Sequence, residues 1–340
     1  MARPEDVLDP YLGESFQNLG ALAIESRRAC LTLGYPAQGL KETLAAEFPG
    51  YTLELEFEPP RLSQQPGKNG LPGVKNILTV ASGKGGVGKS TTAVNLALAL
   101  SREGARVGLL DADIYGPSLG LMLGVPEDKR PEVIEEKFFK PISVHGIQAN
   151  SMSFLVTENT PMVWRGPMAS GALQQLLMQT RWEDLDYLLV DMPPGTGDIQ
   201  LTLSQQVPVA GAVIVTTPQD IALMDAIKGI EMFRKVDIPV LGIVENMSVH
   251  ICPECGHASH IFGSGGGAKV AQQYHTSLLG ALPLSMDVRQ QIDSGRPPVA
   301  ADPESEISRI YRDVARRAAA ELWQLSRSAA TPPIFSVADD

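Results

Sequence analysis

A chain of 340 residues exceeds one ordinary small domain and allows either several domains or one large α/β domain with an appendage. Hydrophobic residues make up 44% and charged residues 20%, and the net charge is −11, a globular composition with an acidic surface that repels phosphate backbones and anionic lipid. Nucleic acid and membrane are therefore not expected partners, and three cysteines do not make a disulfide framework, which points to a reducing, cytoplasmic setting.

The opening "MARPEDVLDPYLGES" lacks a basic segment followed by an apolar core, so no signal peptide is expected, and no apolar run reaches membrane-spanning length. "ACLTLGY" reads as a strand and "GLKETLAAEF" as a short helix. "YTLELEFE" alternates strictly, with Tyr51, Leu53, Leu55 and Phe57 on one face, and reads as a half-buried strand. Residues 1–58 are thus expected to form a small α+β module. Residues 59–73, "PPRLSQQPGKNGLPG", have the composition of a linker.

Beyond the linker, short continuous apolar runs recur: "NILTVA", "RVGLLD", "DYLLVD", "AVIVTT" and "VLGIVEN". Such runs suit strands buried on both faces of a parallel sheet. Helical patterns lie between them, in "STTAVNLALALSREG", "MASGALQQLLMQT" and "DIALMDAIKGIEMFRKV". The alternation predicts a doubly wound, mostly parallel α/β domain over 74–327, followed by a frayed tail at 328–340.

"GKGGVGKS", Gly83 to Ser90, fits G-x-x-x-x-G-K-[ST] between a predicted strand and a predicted helix, the context of a P-loop. Gly83, Gly85, Gly86 and Gly88, with Val87 between them, let the backbone turn its N–H groups toward phosphate oxygens. The helix that follows adds its positive end. Lys89 would neutralise the β and γ phosphates of ATP, Ser90 would meet Mg²⁺, and Thr91 could reach the α-phosphate. Lys84 is a second lysine inside the loop. The string "KGGVGKST" resembles the deviant Walker A loop of dimeric ATPases that include MinD, ParA, the nitrogenase iron protein and the tail-anchored-protein targeting factor. That resemblance implies that Lys84 crosses to the nucleotide of a second subunit, and makes a homodimer the default.

Asp111 and Asp113 follow one predicted strand and Asp191 ends another, the place where ligands bind in open α/β sheets. Asp191 is the candidate for holding Mg²⁺ through water. By the family pattern Asp111 lies near Mg²⁺ and Asp113 orients the attacking water. Gly195 and Gly197 would let the following loop move when the γ-phosphate leaves. The family pattern also puts Asn246 against adenine, where an amide offers donor and acceptor together, with Pro283 packing on the base. Without an arginine finger, hydrolysis at such a site is expected to be slow, with Lys84 supplying part of the charge.

"HICPECGHASH" carries Cys252 and Cys255 at metal-ligand spacing. Gly256 permits positive φ, which aims backbone N–H groups at the sulfurs. Two subunits would bring four thiolates together. Cys30 lies in a strand pattern and reads as a buried, apolar-like side chain. On spacing alone zinc and an iron–sulfur cluster rank level, and His257 and His260 could complete a zinc site within one chain. A redox pair is a third possibility.

"VWRGPMASGALQQLL", "WEDLDYLLVDMPPGTGDIQLTLSQ", "TTPQDIALMDAIKGIEMF" and "ENMSVHICPECGHASHIFGSGGG" together resemble the Mrp/ApbC-type iron–sulfur cluster carrier ATPases. That resemblance implies a [4Fe–4S] cluster bridging a homodimer through Cys252 and Cys255, supplied by an assembly scaffold and passed to apo-proteins. The competing expectations are a MinD/ParA-like positioning ATPase with a structural zinc site, and a zinc-stapled scaffold. A membrane-acting ATPase needs a basic surface helix. The final helical pattern, 304–327, has five arginines against four acids, too balanced for that role.

Overall fold

The computed structural model describes residues 3–62, 70–114, 116–155, 166–197, 200 and 207–330. Parts of the expected linker (63–69) and tail (331–340), and parts of two quoted stretches (163–165 and 198–199 with 201–206), lie outside the described residues.

The chain opens with a three-stranded sheet, β1 (Leu22–Glu25), β2 (Arg28–Leu33) and β3 (Thr52–Phe57), in the order β1-β2-β3. β1 and β2 form an antiparallel hairpin, and β2 runs parallel to β3 through helix α1 (Lys41–Ala46). β1 was not foreseen; its side chains are almost all exposed, so its sequence carries no alternation to read. In β2 the inward row is Ala29, Leu31 and Leu33. Period-two alternation puts Cys30 on the opposite face, half-buried rather than in the core as the sequence suggested. Burial and the nearby Glu56 raise its thiol pKa above the ordinary range.

The second sheet contains β4 (Val74–Ala81), β5 (Val107–Asp111), β8 (Ile142–Val144), β9 (Ile147–Ser151), β10 (Leu185–Asp191), β11 (Val209–Thr216), β12 (Val240–Glu245) and β15 (Ser277–Ala281). Its order is β15-β12-β11-β4-β10-β5-β9-β8. Every pairing is parallel except that of the edge strand β8 with β9. β5, β10 and β11 are buried at every position, which is why they read as unbroken apolar runs. Two short ribbons stand outside the sheet: β6 (Glu132–Ile134) with β7 (Phe138–Lys140), and β13 (His250–Ile251) with β14 (Ala258–Ser259).

Among the described residues the other α-helices include α2 (Lys89–Arg102), α3 (Leu119–Met122), α4 (Gly166–Gln179), α5 (Asp220–Lys235), α6 (Gly266–Gln273), α7 (Met286–Asp293), α8 (Pro298–Ala301) and α9 (Glu306–Ala330). α2 is buried on all sides from Thr92 to Leu100, held between the sheet and α9. None of the described helices is long and apolar enough to cross a membrane.

The small sheet does not stand apart. Leu31, Leu33 and Tyr35 share one apolar cluster with Leu98 of α2 and Ala319 and Leu322 of α9. Tyr35 lies 5.9 Å from the Trp323 ring, and its hydroxyl donates to Asp9 Oδ2 at 2.7 Å. Glu103, at the end of α2, accepts from Gly39 N at 2.8 Å and from Arg312 Nε at 2.7 Å. Just before residues 63–69 the backbone is fastened to β4: the Asn76 amide donates to Pro60 O at 2.6 Å and accepts from Leu62 N at 3.2 Å.

Candidate nucleotide site and cysteine ribbon

The P-loop joins the C-terminal end of β4 to the first turn of α2. Gly88 has φ of 81°, and a Cβ there would stand 2.2 Å from the Asn246 amide nitrogen, so both backbone and space demand glycine. Lys89 is buried with its Nζ 2.5 Å from Asp191 Oδ1 and 3.2 Å from Ser90 Oγ. The neighbouring strands β5 and β10 therefore bring Asp111 and Asp191 to the same edge as the P-loop, as their positions at strand ends predicted.

Burial raises the pKa of Asp191 above the usual carboxylate range, against the opposing pull of the Lys89 charge. Burial, reinforced by the charge of Asp191, pushes Asp111 up to about 7. Asp111 also organises the loop that follows it. Its Oδ1 accepts from Asp113 N at 3.0 Å. Its Oδ2 accepts from Ser118 N at 3.1 Å, Leu119 N at 3.2 Å and Ser151 Oγ at 3.1 Å. Asp113 is half-buried beside this loop. The segment after β10 is tied to the P-loop, where Gly195 N donates to Ser82 O at 3.0 Å and Ser82 Oγ donates to Lys84 O at 2.8 Å. The Lys84 side chain is half-buried and has no ion pair among the described residues.

The residues expected at the base lie close by. Asn246 Nδ2 donates to Val87 O at 2.8 Å, and its Oδ1 accepts from Met247 N at 2.9 Å. Asn246 is thus a strut beneath the P-loop as well as a candidate base contact, with one N–H and one oxygen lone pair still free for a ligand. Pro283 is half-buried in the adjoining loop after β15.

Cys252 and Cys255 sit at the turn of the β13–β14 ribbon, Cys252 half-buried and Cys255 exposed. Gly256 takes φ of 69°, and its N–H closes the turn on Cys252 O at 2.8 Å. Backbone N–H groups of Cys255 and Glu254 hold the Cys252 thiol pKa below its ordinary value. Among the described residues no three His, Cys, Asp or Glu converge on a metal position, so the single-chain zinc site with His257 and His260 is not formed. His260 instead directs Nδ1 at Ser248 O, 2.8 Å away. Ser151, Ser248 and the anchoring role of His260 were missed by the sequence reading. A lone serine or histidine carries no motif, and only the fold brings each to its partner.

Fold and site together define a nucleotide-binding P-loop protein of the doubly wound α/β class with a surface dithiol. Residues 73–319 match the family described as ParA: NUBPL iron-transfer P-loop NTPase. An iron-sulfur cluster carrier protein of Pseudomonas fragi is 68% identical over 246 residues, covering 72% of this chain and 86% of its own. The iron-sulfur cluster carrier protein of Escherichia coli K12 is 63% identical over 78% of this chain and 71% of its own. Among solved structures, an ADP complex of a nucleotide-binding protein from Archaeoglobus fulgidus superimposes with TM-score 0.60 at 35% identity, covering 69% of this chain and 90% of its own. The cell division ATPase MinD of Pyrococcus furiosus shares the fold at TM-score 0.54 and 22% identity, over 74% of this chain and 99% of its own. The chain belongs to the ParA-type family of NUBPL iron-transfer P-loop NTPases.

Proposed function

We propose that the protein is a slow, cytoplasmic ATPase that carries a [4Fe–4S] cluster between two copies of itself and delivers it to apo-proteins. The observation that carries this reading is the cysteine pair. Two thiols stand at the tip of a surface ribbon, and no third ligand joins them among the described residues. A second copy supplies the other two, and exposure at a subunit seam suits a cargo that must be handed on. Exposed apolar side chains lie beside the cysteines in sequence, Ile251 and Ile261, and others, Ile221 and Met224, lie near the start of α5. An assembly scaffold is the proposed source of the cluster.

At the nucleotide site, Lys89 exchanges Asp191 for the β and γ phosphates when ATP binds, and the freed carboxylate becomes available to Mg²⁺ through water. Ser90 and Asp111 complete the set of oxygens that fits this ion, Asp111 keeping a lone pair on Oδ1. Bound Mg²⁺ neutralises charge on the phosphate oxygens. Asp113 orients the attacking water, and Lys84 reaches the partner's nucleotide. Asn246 and Pro283 receive the base.

Anaerobic reconstitution tests the reading, with iron, sulfide and oligomer mass measured for wild type, Cys252→Ala and Cys255→Ala. About four irons per dimer, lost in either variant, supports it. Bound zinc, or a cluster that survives both substitutions, overturns it and leaves a P-loop ATPase with structural cysteines.

A further inference from the structure

The two sites are joined by a short ladder. The chain leaving β12 and the chain leaving β15 stay paired beyond the sheet. Leu282 N donates to Glu245 O at 2.9 Å, Ser248 N donates to Leu282 O at 2.9 Å, and Leu284 N donates to Val249 O at 2.8 Å. Ser248 Oγ adds a second bond to Leu282 O at 3.0 Å. The two candidate base contacts, Asn246 and Pro283, lie one on each rail. The cysteine ribbon begins where the ladder ends, at His250.

One side chain closes the far strand of the ribbon onto this ladder. His260 follows β14, and its Nδ1 lies 2.8 Å from Ser248 O. A carbonyl oxygen can only accept, so Nδ1 carries the proton and donates. At the other end, Asn246 gives its amide N–H to Val87 O within the P-loop. Met247, between Asn246 and Ser248, has φ of 57°, a left-handed conformation that an unbranched L-residue adopts only when its surroundings impose it.

We infer that His260 is a positioning residue that couples the nucleotide pocket to the cysteine ribbon, through Ser248 and Asn246. Engaging the base or the P-loop changes what the Asn246 amide is bonded to, and the strained Met247 link passes that change to Ser248. The His260 bond ties the far strand to the ladder directly, adding to its pairing with β13. The inference deepens the proposed function and rests on it for the nucleotide, but not for the cluster.

The test is peptide-resolved alkylation of Cys252 and Cys255 by iodoacetamide in the metal-free, full-length protein. Rates are compared with and without a non-hydrolysable ATP analogue and Mg²⁺, with Cys30 as the internal reference. The expected result is a nucleotide-dependent rate change of about fivefold or more in wild type. His260→Ala abolishes the change while leaving analogue affinity intact, and His260→Asn, which keeps a donor near the Nδ1 position, restores it. A full nucleotide response in His260→Ala, or no response in wild type, overturns the inference. Failure to hold a cluster in the reconstitution above would sink the carrier reading while leaving this measurement meaningful.

Discussion

Lys89 and Asp191 form a closed ion pair in the phosphate site, with Nζ 2.5 Å from Oδ1 and side-chain exposures of 6% and 3%. The P-loop lysine is thereby stored on the carboxylate that the proposed Mg²⁺ site needs. On the proposed function, nucleotide binding breaks the pair as each group takes up its new partner.

Replacing one member exposes this arrangement. Lys89→Ala leaves a buried carboxylate unpaired, at a cost of roughly 3 kcal/mol after Asp191 takes up a proton to relieve it. Nucleotide-free Lys89→Ala should melt below wild type, and titration calorimetry should detect no ATP binding. A wild-type melting temperature would show that the pair contributes nothing to the fold.

The acidic edge also gives the nucleotide- and metal-free protein a pH dependence of definite sign. Asp111 is raised from 3.8 to about 7 in the folded chain, so the native state holds more protons than the unfolded one between those values. Its contribution is fully present below 3.8 and is lost as pH rises through about 7. Asp191 shifts in the same direction. Urea unfolding between pH 5 and pH 8 should show stability falling by a few kcal/mol from this source. Asp111→Asn should flatten that slope, whatever its effect on absolute stability.

The cysteines should be modified in a set order. Backbone N–H groups lower the Cys252 thiol pKa, whereas burial and the Glu56 charge raise that of Cys30. With a small alkylating reagent near neutral pH, Cys252 should react well before Cys30. Equal rates, followed by mass spectrometry, would contradict the ribbon geometry.

Glu103 predicts how the amino-terminal sheet is held. Its buried carboxylate meets Arg312 Nε at 2.7 Å, Arg316 at 3.9 Å and the Gly39 N–H at 2.8 Å. Glu103→Ala takes the buried carboxylate from two largely buried guanidinium groups, leaving Arg312 only the exposed Glu304 at 3.3 Å, and should cost roughly 3 kcal/mol. Hydrogen exchange should accelerate first at residues 38–40. Unchanged protection there would show that the apolar contacts alone suffice.

The sequence made the nucleotide edge legible because phosphate binding imposes local spacing. The glycines and Lys89 lie in one short loop, and Asp111 and Asp191 are marked by the apolar strands before them. The central strands were visible because burial on both faces leaves unbroken apolar runs. β1 was not, since its side chains face solvent, and neither was the β6–β7 ribbon with its short strands. Cys30 was misplaced because an apolar neighbourhood in sequence does not say which face of a strand turns inward. His260 was weighed only as a ligand. Its bond to Ser248 depends on the chain folding back over twelve residues, which no spacing rule encodes.

The cluster that joins Leu33 and Tyr35 to Leu98 and Leu322 bears on how the molecule is made and lost. Side chains from both ends of the chain meet over the helix that leaves the P-loop, so neither end can detach without laying bare apolar surface on the other. The amino-terminal segment thus acts as a cover to the catalytic half rather than a separable tether. On heating, the two should disappear in one cooperative transition, and a chain begun at Val74 should be prone to self-association.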